Sequence, residues 1–182
     1  MKEKKNYNQV GFTLIEIIVT MAIIVVVFSI AVSRSNRMSS RSNVTLTSEV
    51  MISDLRSTAM SALGSEQFQL QSPTGWGVQI ESNTTPSSYT VFADLNGDRA
   101  YSTNEKLKTV ILARDVKLLC TSFNSECQLT GALIFNVPDA KTYFMNTEVT
   151  AGTGDVLVQL VDNVTGDTKN ISINTLGTVS PE

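Results

Sequence analysis

FTLIEIIVTMAIIVVVFSIAV, residues 12–32, holds 17 apolar side chains in 21 positions, the exceptions being Thr13, Glu16, Thr20 and Ser29. A helix rises about 1.5 Å per residue, so the run covers roughly 30 Å, the thickness of a bilayer's hydrocarbon core. A helix of that length in a water-soluble core carries a polar face, and this one has almost none. The stretch therefore reads as a membrane-spanning helix. A secretory signal peptide has a shorter apolar region, about 7–15 residues, ahead of a small-residue cleavage site. Here the polar and basic residues Ser33, Arg34, Ser35, Asn36 and Arg37 follow instead. Lys2, Lys4 and Lys5 precede the span and Arg34, Arg37 and Arg41 follow it, so charge bias does not set its orientation. Glu16 stands out, because a carboxylate within an apolar helix is costly in lipid and marks function unless it reaches interfacial water.

Downstream, residues 35–63 run without Gly or Pro, and Val44, Met51, Leu55, Ala59 and Ala62 recur at spacings of seven, four, four and three. That is the apolar stripe of an amphipathic helix, with Gly64 as its terminator. Arg34, Arg37 and Arg41 recur along one side, a face for solvent or lipid head groups. Beyond Gly64 the pattern changes to short β-forming runs at 76–80, 89–93, 106–112, 116–120, 132–136, 155–161, 168–174 and 176–179. Residues 163–167, Asn-Val-Thr-Gly-Asp, read as a hairpin turn, and 146–155, with Gly152 and Gly154, as a flexible loop. The expected fold is α+β, a long N-terminal helix packed on an antiparallel β-sheet head. The helix is membrane-spanning in its first half and amphipathic in its second. The divisions fall at 1–11, 12–32, 33–64 and 65–182.

Composition narrows the chemistry. The chain has no His, which removes serine-histidine triads, cysteine-histidine dyads and His-containing zinc sites. Two Cys cannot build a four-thiolate metal site. No nucleophile sits beside a recognisable activating base, so the chain reads as a non-enzyme. The formal charge is −3, and after residue 64 seven basic residues face 13 acidic ones, so this head repels nucleic-acid phosphates.

The leader MKEKKNYNQV followed by Gly11-Phe12-Thr13-Leu14-Ile15-Glu16 and the apolar run closely resembles the type IV prepilin signature, shared with type II secretion pseudopilins. The resemblance covers about the first 32 residues. It implies cleavage between Gly11 and Phe12 by a prepilin peptidase and N-methylation of Phe12. It also implies that Glu16, the fifth residue after the cut, pairs with a neighbouring subunit's N-terminal amine during assembly. Such pairing agrees with the cost of leaving either charge alone in lipid. Loss of residues 1–11, with three Lys and one Glu, takes the charge from −3 to −5. Many type IV pilins carry a helix-kinking Pro where this chain has Ser33, and no Pro precedes Pro73, so its helix is expected to be less kinked. The partners implied are other pilin or pseudopilin subunits, the peptidase and membrane lipid. The location implied is a single-pass inner or cytoplasmic membrane precursor with an extracytoplasmic head, then an extracellular or periplasmic filament. The runner-up function is a single-pass anchored calcium-binding or adhesive module that does not polymerise.

Two features of the head carry chemistry of their own. In the stretch 94–105, Asp94, Asn96, Asp98, Ser102 and Glu105 fall at positions one, three, five, nine and twelve, the oxygen-donor places of an EF-hand-type calcium loop. Arg99 stands where that loop has Gly, and strands flank it, so the alternative is a metal-free turn capped by Asp and Asn side chains. Gly75-Trp-Gly-Val-Gln-Ile80, then Tyr89-Thr-Val-Phe-Ala-Asp-Leu-Asn-Gly-Asp98, then Glu105, resembles a GspH/FimT-like pilin head over about residues 75–112. Cys120 and Cys127 flank a polar stretch and form either a short-loop disulfide, expected in a head outside the cytosol, or two free thiols.

Overall fold

A computed structural model of the 182-residue chain describes residues 13–82, 84–123, 126–128, 130–151 and 154–181, with residues 30–42, 120, 122, 126 and 127 described by backbone alone. One helix, α1 (Leu14–Leu63), precedes the strands β1 (Gly75–Glu81), β2 (Ser88–Asp94), β3 (Lys106–Ile111), β4 (Val116–Phe123), β5 (Glu126–Gln128) and β6 (Thr130–Asn136). After them come β7 (Thr142–Phe144), β8 (Thr147–Glu148), β9 (Val156–Asp162), β10 (Thr168–Ile173) and β11 (Val179–Pro181). The order is helix first, antiparallel β-sheet second, an α+β chain. It divides between Met38 and Ser39 into two units.

In the first unit, the side chains of residues 13–29 are all exposed. Thr20 and Ser29 donate their hydroxyls to the carbonyls of Ile17 and Val25, both at 2.9 Å, so neither leaves an unbonded hydroxyl on the apolar surface. The expected span 12–32 is described by side chain only over 13–29, and the leader 1–11 lies outside the described residues. Among the described residues no helix is long and apolar enough to cross a membrane.

The second unit starts inside α1. Val44, Met51, Leu55, Ala59 and Ala62 are all buried, joined by Ile52, so the spacing read from the sequence is the core face of the helix. The helix stops at Leu63, where Gly64 N–H donates to Met60 O and Glu66 N–H to Ser61 O. The left-handed residue of this exit is Ser65 (φ 51°), not Gly64.

Two antiparallel sheets complete the head. The first has the order β3-β2-β1-β6-β7-β8 and the second β11-β10-β9-β4-β5. Helix and both sheets share one core, in which Trp76, Val78, Ile80, Leu133 and Phe135 of the first sheet join Val156, Val158, Leu160, Ile171 and Ile173 of the second. Strand β9 alternates strictly between buried and half-buried residues, the mark of one face on the core. The 163–167 turn closes the β9–β10 hairpin as expected, with Asp162 accepting the N–H groups of Val164 and Thr165 and Gly166 at φ 75°.

Several expectations are corrected. The last strand is β11, not 176–179, because Asn174 accepts the N–H groups of Leu176 and Thr178 and folds that stretch into a turn with Gly177 at φ 70°. Strand β8 lies within the expected flexible loop 146–155, pairing with β7 through Phe144 and Thr147. Strands β5, β7 and β8 have only two or three residues each, too short to show a period of two in the sequence.

Candidate functional site

At the N-terminal end of α1, Thr13 is the cap. Its carbonyl accepts the N–H groups of Glu16 (3.1 Å) and Ile17 (3.3 Å), and its hydroxyl lies 3.4 Å from Glu16 N. Thr-x-x-Glu is the capping-box spacing, and Glu16 in the first turn also sits favourably at the positive end of the helix dipole. Glu16 therefore has a local stabilising role at the start of α1. Sequence reasoning missed that local role, although the Thr13-x-x-Glu16 spacing signals it. Gly11 and Phe12 lie outside the described residues.

The acidic loop is built from its carboxylates inward. Asp94, at the end of β2, accepts Gly97 N–H on Oδ1 (2.7 Å) and Arg99 N–H on Oδ2 (3.1 Å). Glu105 accepts Leu95 N–H on Oε1 and Ser102 N–H on Oε2, both at 3.0 Å. Asn96 and Asp98 continue the pattern by accepting Asp98 N–H and Ala100 N–H. Asp94 and Glu105 are buried, and each of their four carboxylate oxygens faces a backbone amide of the loop. Among the described residues no group of three or more His, Cys, Asp or Glu side chains comes together to hold a metal ion. The arrangement is that of a turn held shut by its own acids, with Gly97 (φ 77°) and Arg99 (φ 58°) supplying the left-handed backbone.

The closed loop also covers the sheet face away from α1. There Phe92, Ala132 and Ile134 form a second small core against which Tyr101 and Tyr143 pack. Tyr101 meets Phe92 edge-on, with centroids 5.5 Å apart, and the Arg99 guanidinium lies 3.9 Å from the Tyr143 ring centroid. Gly75 and Gly77 are what allow this packing. A Cβ on Gly77 would come 2.6 Å from Phe92 Cζ, and one on Gly75 would come 2.8 Å from Ile134 Cγ2. Trp76 between them points the other way, into the main core, where it meets Phe68 edge-on at 6.2 Å. The Gly-aromatic-Gly run and the acidic loop are thus two halves of one packing arrangement.

A third cluster joins α1 to the first sheet. Asp54 on the helix accepts the Tyr89 hydroxyl (2.7 Å) on Oδ2 and the Lys108 ammonium (2.6 Å) on Oδ1. Burial, then the hydrogen bond and charge of Asp54, hold the Tyr89 phenol well above its ordinary range. Sequence reasoning did not find this latch. Asp54, Tyr89 and Lys108 come from three elements, and only the fold sets the helix against strands β2 and β3.

Cys120 and Cys127 lie on neighbouring antiparallel strands, β4 and β5, with Cys127 opposite Ser122. The disulfide expected between them concerns side chains outside those described.

Residues 7–32 match a protein-family model described as the prokaryotic N-terminal methylation motif, the prepilin-type motif. The motif supports a type IV pilin-like or pseudopilin-type protein, a structural subunit processed by prepilin peptidase that assembles with other pilin subunits. No curated protein and no solved structure shows a significant match to the chain.

Proposed function

We propose that this chain is a minor pilin or pseudopilin with a GspH/FimT-like head, a subunit of a type IV pilus or type II secretion-like filament. Its precursor is cut between Gly11 and Phe12, Phe12 is N-methylated, and the subunit joins the filament through its N-terminal helix. Glu16 supplies the carboxylate that meets a neighbour's methylated amine. Before assembly the apolar segment rests in the membrane with the head on the extracytoplasmic side.

The observation that carries this reading is the methylation motif at residues 7–32, on a chain whose helix continues into an antiparallel β head. The uniformly exposed residues 13–29 support it, since such a surface needs either lipid or other helices to cover it. The acidic head supports a role in assembly over contact with nucleic acid.

N-terminal mass spectrometry of the membrane-fraction protein tests the proposal. The expected first residue is methylated Phe12. A chain that starts at Met1, or at any residue other than Phe12, rejects it. Gly11→Val is expected to leave the precursor at full length on a gel.

A further inference from the structure

Asn96 is the one Asn in the sequence followed by Gly; every other is followed by a residue that carries a side chain. That pairing has a chemistry of its own, the source of the thermal lability of Asn. The backbone nitrogen of the following residue attacks the Asn side-chain carbon and closes a succinimide ring. A side chain on the following residue hinders the attack, and glycine leaves the way open. Gly97 is set here by its backbone, since φ is 77°, a conformation glycine adopts without strain. The turn that closes the acidic loop therefore brings with it the Asn most open to this attack, and both residues of the pair are exposed to water.

In the closed loop both reacting groups are tied. Gly97 N–H donates to Asp94 Oδ1 at 2.7 Å. To attack, that nitrogen must lose its proton, and a buried carboxylate beside it opposes the negative charge that results. The same carboxylate is too weak a base to take the proton itself. Asp98 holds the Asn96 carboxamide at both ends: Asn96 Oδ1 accepts Asp98 N–H at 3.0 Å, and Asn96 Nδ2 donates to Asp98 Oδ2 at 2.8 Å. We infer that Asn96 is a self-modification site guarded by the acidic loop. The closed loop holds off ring closure, and each local opening of the loop releases it. In the reaction the bond from Gly97 N to Asn96 Cγ forms and the bond from Cγ to Nδ2 breaks. The Gly97 N–H proton leaves with Nδ2 as ammonia. Water then adds to either carbonyl of the ring, leaving aspartate or isoaspartate at position 96. Both products add a negative charge beside Asp94 and Asp98. Isoaspartate also lengthens the main chain by one carbon ahead of Gly97 and carries its N–H off Asp94. The loop then cannot regain its bonds, and the packing of Tyr101 on Phe92 and of Arg99 on Tyr143 is lost. The change runs one way, so it keeps a record of every opening.

The test uses the full chain, purified in detergent and held in mildly alkaline buffer with and without urea. Peptide mass spectrometry follows the conversion of amide to acid at each Asn, and isoaspartyl methyltransferase labelling counts the isoaspartate. In urea, conversion is expected at position 96 at least tenfold faster than at Asn136, whose neighbour Val137 hinders the attack. Without urea, conversion at 96 is expected to be at least tenfold slower than in urea. Glu105→Gln leaves residues 94–98 untouched but loosens the amides of Leu95 and Ser102, and it is expected to raise the rate without urea at least threefold. Asn96→Gln is expected to give no signal there, because its longer side chain closes the ring far more slowly. Conversion in urea that is absent at 96, or no faster there than at Asn136, would overturn the site. Equal rates with and without urea, or no rise in folded Glu105→Gln, would overturn the guard. If Glu105→Gln does not fold, the wild-type comparison with and without urea decides alone.

Discussion

At the scale of single residues, Gly77 leaves no room for a side chain. Adding one methyl there drives it into the Phe92 ring and Ile134, and overpacking of this sort costs about 1–3 kcal/mol. Gly77→Ala is therefore expected to lower the urea midpoint, read from the fluorescence of Trp76, the one tryptophan, which is buried. Glu105→Gln replaces one of two amide acceptors with a donor facing an N–H group, and leaving such a group unpaired costs about 1–3 kcal/mol. Because the loop's carboxylates already hold its amides, millimolar calcium is expected to leave the wild-type melting temperature unchanged. A rise of several degrees would sink the metal-free reading. Tyr89 gives a pH signature. An unfolded phenol ionises near pH 10, and the folded one is held higher. Its stabilising contribution is thus complete below about pH 10 and declines as pH rises above it, since the unfolded chain loses that proton first. Wild-type stability should fall between pH 9.5 and 11 more steeply than that of Tyr89→Phe, measured as urea midpoint against pH.

At the scale of elements, legibility followed periodicity and length. The stripe from Val44 to Ala62 gave the buried face of α1 because five residues at helical spacing outweigh local noise. The central strands β1, β2, β6, β9 and β10 appeared within two residues of their ends, being long enough to show β-forming runs. The failures were of two kinds. Strands of two or three residues carry no pattern, and the stretch 174–178 is set by Asn174 capping backbone amides, an interaction that outranks its β propensity. The acidic loop was legible as a set of oxygen donors but not as to what the oxygens bind, since spacing alone serves a cation and a string of backbone amides equally well. At the head of α1, Glu16→Gln keeps the backbone N–H that faces Thr13 but removes the charge. It is expected to leave α1 and peptidase cleavage intact while cutting filament incorporation at least tenfold, measured by immunoblot of sheared filaments.

At the scale of the whole molecule, the head is a helix and two sheets around a common core, with a second small core on the far face of the first sheet. Both faces of β2 are covered, and six of its seven residues are buried. The Asp54 latch then acquires a mechanical meaning. Toward its end the buried helix surface is made of small side chains, Thr58, Ala59 and Ala62, which project little into the sheets. Asp54 grips two strands at once, β2 through Tyr89 and β3 through Lys108, while Arg56 holds the carbonyl of Val179 in β11 at 2.8 Å. A pull along α1 is therefore resisted in shear by short, directional bonds reaching both sheets, and tension passes from helix to sheet through Asp54 and Arg56, about two turns from the helix end. In a single-molecule pulling experiment anchored on α1 and β10, Asp54→Ala should yield at a lower force than wild type, and an unchanged rupture force would place the load elsewhere.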